Sequence, residues 1–556
     1  MRHLAYAASC AIALLIGGSS PLLAQVHVTR VPGSWVGAPM EEYARLLQLT
    51  GVMPLSSRML RPSPAAQAWT APDSAPWRAP WAGRYAAWRS PRDSMNDSGR
   101  AIVHVFDAVW HSTYNSAFPY GQNDGAMWAG RGLSTQLTAG GVIAAGPLTV
   151  QLAPTYTWSQ NKTFALGALS DAPATASPYA DPFHARGIDR PQRFGDEAVS
   201  RLDAGQSALT ASAYGVRAGW SNQSMWWGPG IDNGIALTNN APGFNHVHVG
   251  TARPANVGIG RLEALYMMGW LQQSGFWRTP ADTFPANRWL NALALVFEPK
   301  GSPGLYLGAA RLFYAYEARN PITPSEILSI FQPFTKNRFV DPANPLGDDA
   351  RDQMVSVWLR WVFPPVGLEV YGEYARNDHP FDARDAEMEP DHSSAYQLGL
   401  RKVYPLRGGV LAVRGEMTNL TRAVTGQLRA SPTWYTHHIV QQGYTERGQV
   451  IGAGLGLGGD QETFAVDWFE RRGRLGLTFQ RRRDYTDALL QRASSLTSPH
   501  RRHDTYLEGG PRVTLFTGPV DLDLIYFHQH ELNRYLIENN DARNNHLEVR
   551  AQIRAP

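Results

Sequence analysis

The chain has 556 residues, a formal net charge of +4 and only 18% charged residues. Its lysines and arginines are scattered, which leaves no basic footprint for nucleic acid. Cys10 is the only cysteine, so a disulfide scaffold, a thiolate metal site and a cysteine nucleophile are excluded. Glycine (52), tyrosine (22) and tryptophan (18) are abundant. A mean hydropathy of −0.31 suits a membrane β-barrel, whose strands alternate apolar and polar residues and so average to polar.

In chain order, Arg2 and His3 open a basic start, followed by an apolar run over 4–18 that is too short to span a bilayer. With Pro21, Leu22, Leu23 and Ala24 this reads as a signal peptide over 1–24, leaving Gln25 first in the mature chain. The run before Cys10 is too short for a lipoprotein acceptor. Residues 25–100 are expected to form a small periplasmic helical and linker segment. Within it, 39–51 reads as a helix: Pro39 suits the first turn, Glu41 and Glu42 complement the N-terminal dipole, and Gly51 suits the stop. Tyr43, Leu46 and Leu47 fall on one face and need a partner.

From residue 101 the period becomes two. Val355, Val357, Leu359, Trp361 and Phe363 oppose Met354, Ser356, Trp358 and Arg360. Leu475, Leu477 and Phe479 oppose Arg474, Thr478 and Gln480, and Leu547, Val549, Ala551 and Ile553 oppose His546, Glu548, Arg550 and Gln552. Each is a strand with one apolar face. Tight links such as Gly146-Pro147, Pro364-Pro365 and Gly518-Pro519 alternate with long polar ones at 161–207, 318–352, 377–394, 420–460, 486–502 and 531–543. That alternation marks an up-and-down outer-membrane barrel over 101–556. Strands are expected to begin near 103, 131, 148, 208, 231, 246, 257, 289, 305, 353, 366, 395, 409, 461, 474, 503, 520 and 544, about eighteen in all. Both chain ends then lie on the short-turn, periplasmic side. The ending Ile553-Arg554-Ala555-Pro556 lacks the terminal aromatic usual in such barrels.

Three segments are more specific: Gly187-Ile-Asp-Arg-Pro-Gln-Arg-Phe-Gly195; Trp226-Trp-Gly-Pro-Gly230 with Asn239-Asn-Ala-Pro-Gly-Phe244; and Trp434-Tyr-Thr-His-His-Ile-Val-Gln-Gln-Gly-Tyr-Thr-Glu-Arg-Gly448. Their order and content resemble the Wzi family of capsule assembly proteins over most of 35–556. The resemblance implies an all-β transmembrane barrel of eighteen strands with a periplasmic helical bundle. It also implies a lectin-like role at the outer membrane, holding capsular or other surface polysaccharide. Outer-membrane lipid and the barrel assembly machinery are then further partners, and a monomer is expected.

Sugar rings ask for aromatic platforms, amides and guanidinium groups, and an acidic glycan would favour Arg. The 420–460 loop supplies Trp434, Tyr435, His438, Tyr444 and Arg447; the 161–207 loop supplies Arg186, Arg190 and Arg193. These eight are the candidate binding residues. No catalytic or metal motif accompanies them, and no cofactor is expected. His437-His438 lacks the spacing of a metal set. Glu369 and Glu373, four residues apart on a strand, stand roughly 13 Å apart, too far for a glycosidase pair. No nucleophile elbow or phosphate-binding loop is present. Trp226–Gly230 reads as a rigid inward corner. The expectation is therefore a non-enzymatic anchor, with a porin-like diffusion channel as the alternative.

Overall fold

Alternating side chains on strands can bury one face in lipid only if the sheet closes, because an open edge would leave backbone groups unpaired there. The computed structural model closes in this way. It describes residues 27–554 apart from 32, 34, 63–68, 71–75, 86, 89–100, 171, 280–284, 286, 333–350, 378–381, 424, 426–430 and 493–499. The expected signal peptide, Cys10 and the last two residues of the chain lie outside the described residues.

Each of the first four strands runs in two segments: β1 (Ile102–Phe106, Ala108–Asn115), β2 (Gly132–Thr138, Gly141–Ala145), β3 (Leu148–Leu152, Thr155–Ser159) and β4 (Val199–Asp203, Ala208–Ala213). Then come β5 (Val216–Ser221) and β6 (His246–Thr251, Ala255–Asn256). Unbroken strands follow: β7 (Gly260–Leu271), β8 (Arg288–Pro299), β9 (Leu305–Tyr316), β10 (Arg351–Phe363), β11 (Leu368–Asn377) and β12 (Ser394–Leu406). The last are β13 (Gly409–Asn419), β14 (Asp460–Glu470), β15 (Gly473–Asp484), β16 (Asp504–Thr517), β17 (Val520–Leu532) and β18 (Ala542–Ile553). Each pairs antiparallel with the next, and β18 pairs back onto β1 with Ile553 opposite Ala108. Below that point His27–Val31 takes the free edge of β1 as a parallel strand.

The strand expected near 231 is not in the wall. The chain instead turns at Tyr214 and Gly215, both with positive φ, and returns at once as β5. Two such residues make the tight turn whose twist matches a hairpin. Residues 222–245 then leave the wall and fold into the lumen, and β6 resumes at His246.

The outward faces are apolar, with Leu307, Val357, Leu359, Trp361, Leu475 and Leu477 all exposed. The inward faces are packed. Ala310, Leu312, Trp358, Ala375 and Ala395 of the wall join Trp227, Leu237, Trp434 and Leu455 of the folded-in segments in one core. At the short-turn end α1 (Pro39–Leu49) sits inside the wall, where Tyr43, Leu46 and Leu47 pack with Trp81, Val403, Val410 and Phe469. The helix is pinned by charge. Arg45 meets Glu369 at 2.9 Å, Arg360 meets the same carboxylate at 2.8 Å, and Glu42 takes Arg474 at 2.7 Å.

Candidate functional site

The long-loop end carries the chemistry, and wall carboxylates hold its inner floor. Glu416 accepts the backbone N–H groups of Ile231, Asp232 and Asn233 at 2.8, 3.0 and 2.9 Å. Glu373 accepts Ile235 N–H at 3.1 Å. Glu369 and Glu373 are thus both buried and bonded within a packed interior. Trp226 and Trp227 are also buried, pairing with Arg61 and Leu60.

The candidate binding residues divide sharply. Trp434 and Tyr444 are 1% and 0% exposed. Trp434 donates from its indole to the Ser394 carbonyl at 3.1 Å. Tyr435 and Tyr444 stack on each other at 5.7 Å and donate to the carbonyls of Ile235 and Ala236. The two tyrosines weld the 420–459 loop to the 222–245 segment and Trp434 ties it to the start of β12, so all three are packing residues and offer no surface platform. Arg193 is buried as well, on Asn161 O and Asp196. His438 and Arg186 are exposed. Arg190 and Arg447 are partly exposed and line two adjoining cavities.

The larger cavity, about 1130 Å³ with the solvent open to it, is lined by Trp128, Phe164, Tyr485, Tyr506 and Tyr535, with Arg190, Arg482, Arg534, Gln192 and several carboxylates. Arg190 lies over the Tyr485 ring at 5.6 Å and bonds its hydroxyl, which in turn donates to Asp181 at 3.0 Å. Burial works to raise the Asp181 carboxyl, but His184, Arg190 and the Phe183 N–H hold it below the usual range. The smaller cavity, about 760 Å³ with its open solvent included, shares Trp128 and Gln449 with the first. Its lining holds Phe194, Phe276, Gln272 and Gln273 with Arg201 and Arg447 and, among the described residues, no carboxylate. Trp128, Phe194 and Phe276 form a continuous ring surface, with centroids 4.7 and 5.5 Å apart. Arg447 is aimed by Asp203 at 2.6 Å and Gln272 at 2.8 Å. Beside it, burial raises the Glu446 carboxyl to about 7 against the opposing pull of the Gln272 N–H and Arg447.

Of the eight candidates, Arg190 and Arg447 line these cavities; Trp128, Phe194, Phe276 and Arg201 line them too and were not among the candidates. Phe194 was in view, inside the Gly187–Gly195 motif. Trp128 lies in the 116–131 connection, which carries none of the three motifs. Among the described residues, His111, Asp124 and Glu548 also bring ligand-type atoms within 4.8 Å of one another. Glu548 is already in contact with Arg550 and 3.1 Å from His111, so its charge is balanced by the protein.

A closed antiparallel barrel with an apolar outer face, a lumen occupied by folded-in segments that pack on the wall and a polar-aromatic mouth defines an outer-membrane β-barrel protein. The sequence model described as Capsule assembly protein Wzi matches residues 117–508, and the chain belongs to that family. Among solved structures, the outer-membrane protein Wzi of Escherichia coli, described as a carbohydrate-binding β-barrel of group 1 capsule assembly, is similar. Its TM-score is 0.55 at 12% identity, covering 94% of this chain and 99% of that one. OccAB3 of Acinetobacter baumannii and a BenF-like porin of Pseudomonas fluorescens match with TM-scores of 0.38 and 0.39, at 7% and 8% identity. Each covers 81% of this chain and 98% and 97% of its own. A search of curated proteins returned no match.

Proposed function

We propose that this chain is a capsule assembly protein that binds surface polysaccharide, capsular or of another class, at its long-loop mouth and anchors it to the outer membrane. The observation that carries the reading is the pair of adjoining cavities, where a run of aromatic rings lies beside amides and two partly exposed arginines. Rings match the C–H faces of sugars, and guanidinium forks match hydroxyls and carboxylates. The smaller cavity, having arginines and no acid in its lining, suits an acidic sugar unit. The family carries the same reading, since the Escherichia coli member is described as carbohydrate-binding. The protein acts without catalysis, as a monomer inserted by the barrel assembly machinery.

A polymer presents many repeats, so weak contacts sum through effective concentration and one substitution changes little. Replacing Trp128, Arg201 and Arg447 together by Ala is expected to release most of the cell-associated glycan. The comparison is made at equal surface amounts of wild-type and variant protein, both shown to be folded by heat-modifiable migration. Full retention by the folded triple variant contradicts the proposed site.

A further inference from the structure

One stretch of the outer wall breaks the apolar rule. On β8, β9 and β10 the odd-numbered residues face outward: Leu295, Leu307, Val357, Leu359 and Trp361 are exposed there, while Ala294, Leu312 and Trp358 belong to the interior core. Parity therefore puts Asn291, Arg311 and Gln353 on the lipid side too. Arg311 pairs with Val355, two residues from Val357 at the middle of β10. At a rise of about 3.3 Å and a tilt of about 40°, that is roughly 5 Å toward the long-loop rim. An arginine facing hydrocarbon at that depth is costly.

The wall is covered at this point. The chain after β9 folds back down the outside as a short helix, α2 (Pro324–Ile327), continued by a 3-10 turn (Leu328–Phe331). Its backbone meets the polar wall residues one by one. Asn291 donates to the carbonyls of Glu326 and Ile327 at 2.8 and 3.2 Å. Arg311 donates to Ile330 O at 3.0 Å and to Gln353 at 2.7 Å. Arg351 ties Glu326 at 3.1 Å and Gln332 at 3.0 Å. Ile330 turns inward onto Met268, Trp289 and Phe313, all of them buried. The far side of the segment then carries Leu328 and Phe331, 59% and 70% exposed.

We propose that residues 321–332 form a strap seated in the outer leaflet, its Leu328 and Phe331 lying against lipid acyl chains. Three observations choose lipid as the occupant. The strap lies on the outward face of the barrel, it continues the exposed apolar surface of Leu295, Leu307 and Val357 below it, and its apolar side points away from the wall. Short apolar helical segments of this kind settle at the headgroup–acyl boundary.

The test uses the full chain with Cys10→Ala, carrying an environment-sensitive fluorophore on Leu328→Cys, in phosphatidylcholine vesicles. Ala168→Cys, exposed in the 160–198 loop, is the aqueous reference. Acyl-chain spin-labelled phosphatidylcholine is expected to quench the Leu328 site at least two-fold more than the Ala168 site. Soluble iodide should show the reverse order. Equal quenching of both sites by iodide would overturn the proposal. Protection of the Leu328 site from both quenchers would also overturn it, in favour of a second copy of the chain. Phe331→Cys gives an independent reading should Leu328→Cys fail to assemble.

Discussion

The two parts of the barrel wall differ in kind. From β7 onward every strand is a single ladder of 10 to 14 residues, whereas β1 to β4 are each split. At the splits backbones approach closely: a Cβ on Gly140 would meet the Leu152 carbonyl at 1.9 Å, and one on Gly205 the Ala153 carbonyl at 2.5 Å. The extra residues bend the strands, as β-bulges do. Between β5 and β6 the chain leaves the wall altogether. The unbroken part supplies the inner surface against which the core packs and the outer surface on which the strap lies. The split part contributes Thr157, Ser159 and Arg201 to the smaller cavity. Regular pairing here backs the packed core, and irregular pairing leaves room for the smaller cavity.

If that division is right, the unbroken part should be the more costly to disturb from within. Glu369 on β11 serves both Arg45 of α1 and Arg360 of β10, and all three are buried. Glu369→Ala leaves two buried cations facing each other and is expected to cost about 3–5 kcal/mol, read as an earlier denaturant midpoint in folded detergent or lipid samples. A loss below about 1 kcal/mol would mean that α1 is not held by this pair.

The next effect separates the two faces. Leu359→Arg and Leu477→Arg, on the outward face, should each cost about 2–4 kcal/mol near mid-membrane. Thr478→Arg, partly exposed on the inward side, should cost much less. Ser356 is on the inward face too, but it is fully buried and donates to Glu373. Arg there should be at least as damaging as at Leu359. Equal stability of the Ser356 and Thr478 variants would show the inward face to be uniformly wet.

The smallest effect probes the mouth. Glu446, with its carboxyl raised to about 7 from an ordinary 4.5, binds its proton more tightly folded than unfolded. Its contribution is therefore complete below about pH 4.5 and is lost as pH rises through 7. Cleavage of the 445–450 segment by a broad-range protease should rise from pH 6 to pH 8 relative to Glu446→Gln, whose local opening lacks this dependence. An unchanging ratio between the two proteins would remove Glu446 as the cause.

Much of the wall was legible in the sequence because lipid enforces strict alternation. The outward sets at Leu475, Leu477 and Phe479 and at Leu547 and Ile553 are where period two puts them. The turn at Tyr214-Gly215 was missed because tyrosine is not the residue that usually signals positive φ, so β4 and β5 read as one strand and its partner was sought near 231. The candidate site was harder to read. Composition tells that a loop holds tryptophan, tyrosine and arginine, but not which way it folds. Trp434 and Tyr444 turned inward because the lumen needed filling and backbone carbonyls there could satisfy their polar tips. The strap was beyond reach for the same reason: α2 has no long apolar period, and only its placement over Arg311 gives it meaning.

Folded-in segments occupy the lumen beneath the mouth, and planar-bilayer recording of the purified, folded barrel tests most directly whether they block it. The core joining Leu312, Trp358 and Ala395 of the wall to Trp227, Trp434 and Leu455 predicts no stable conductance steps at moderate voltage, with or without polysaccharide. Steady, ion-conducting openings that survive in many independent insertions would contradict it and restore the channel reading.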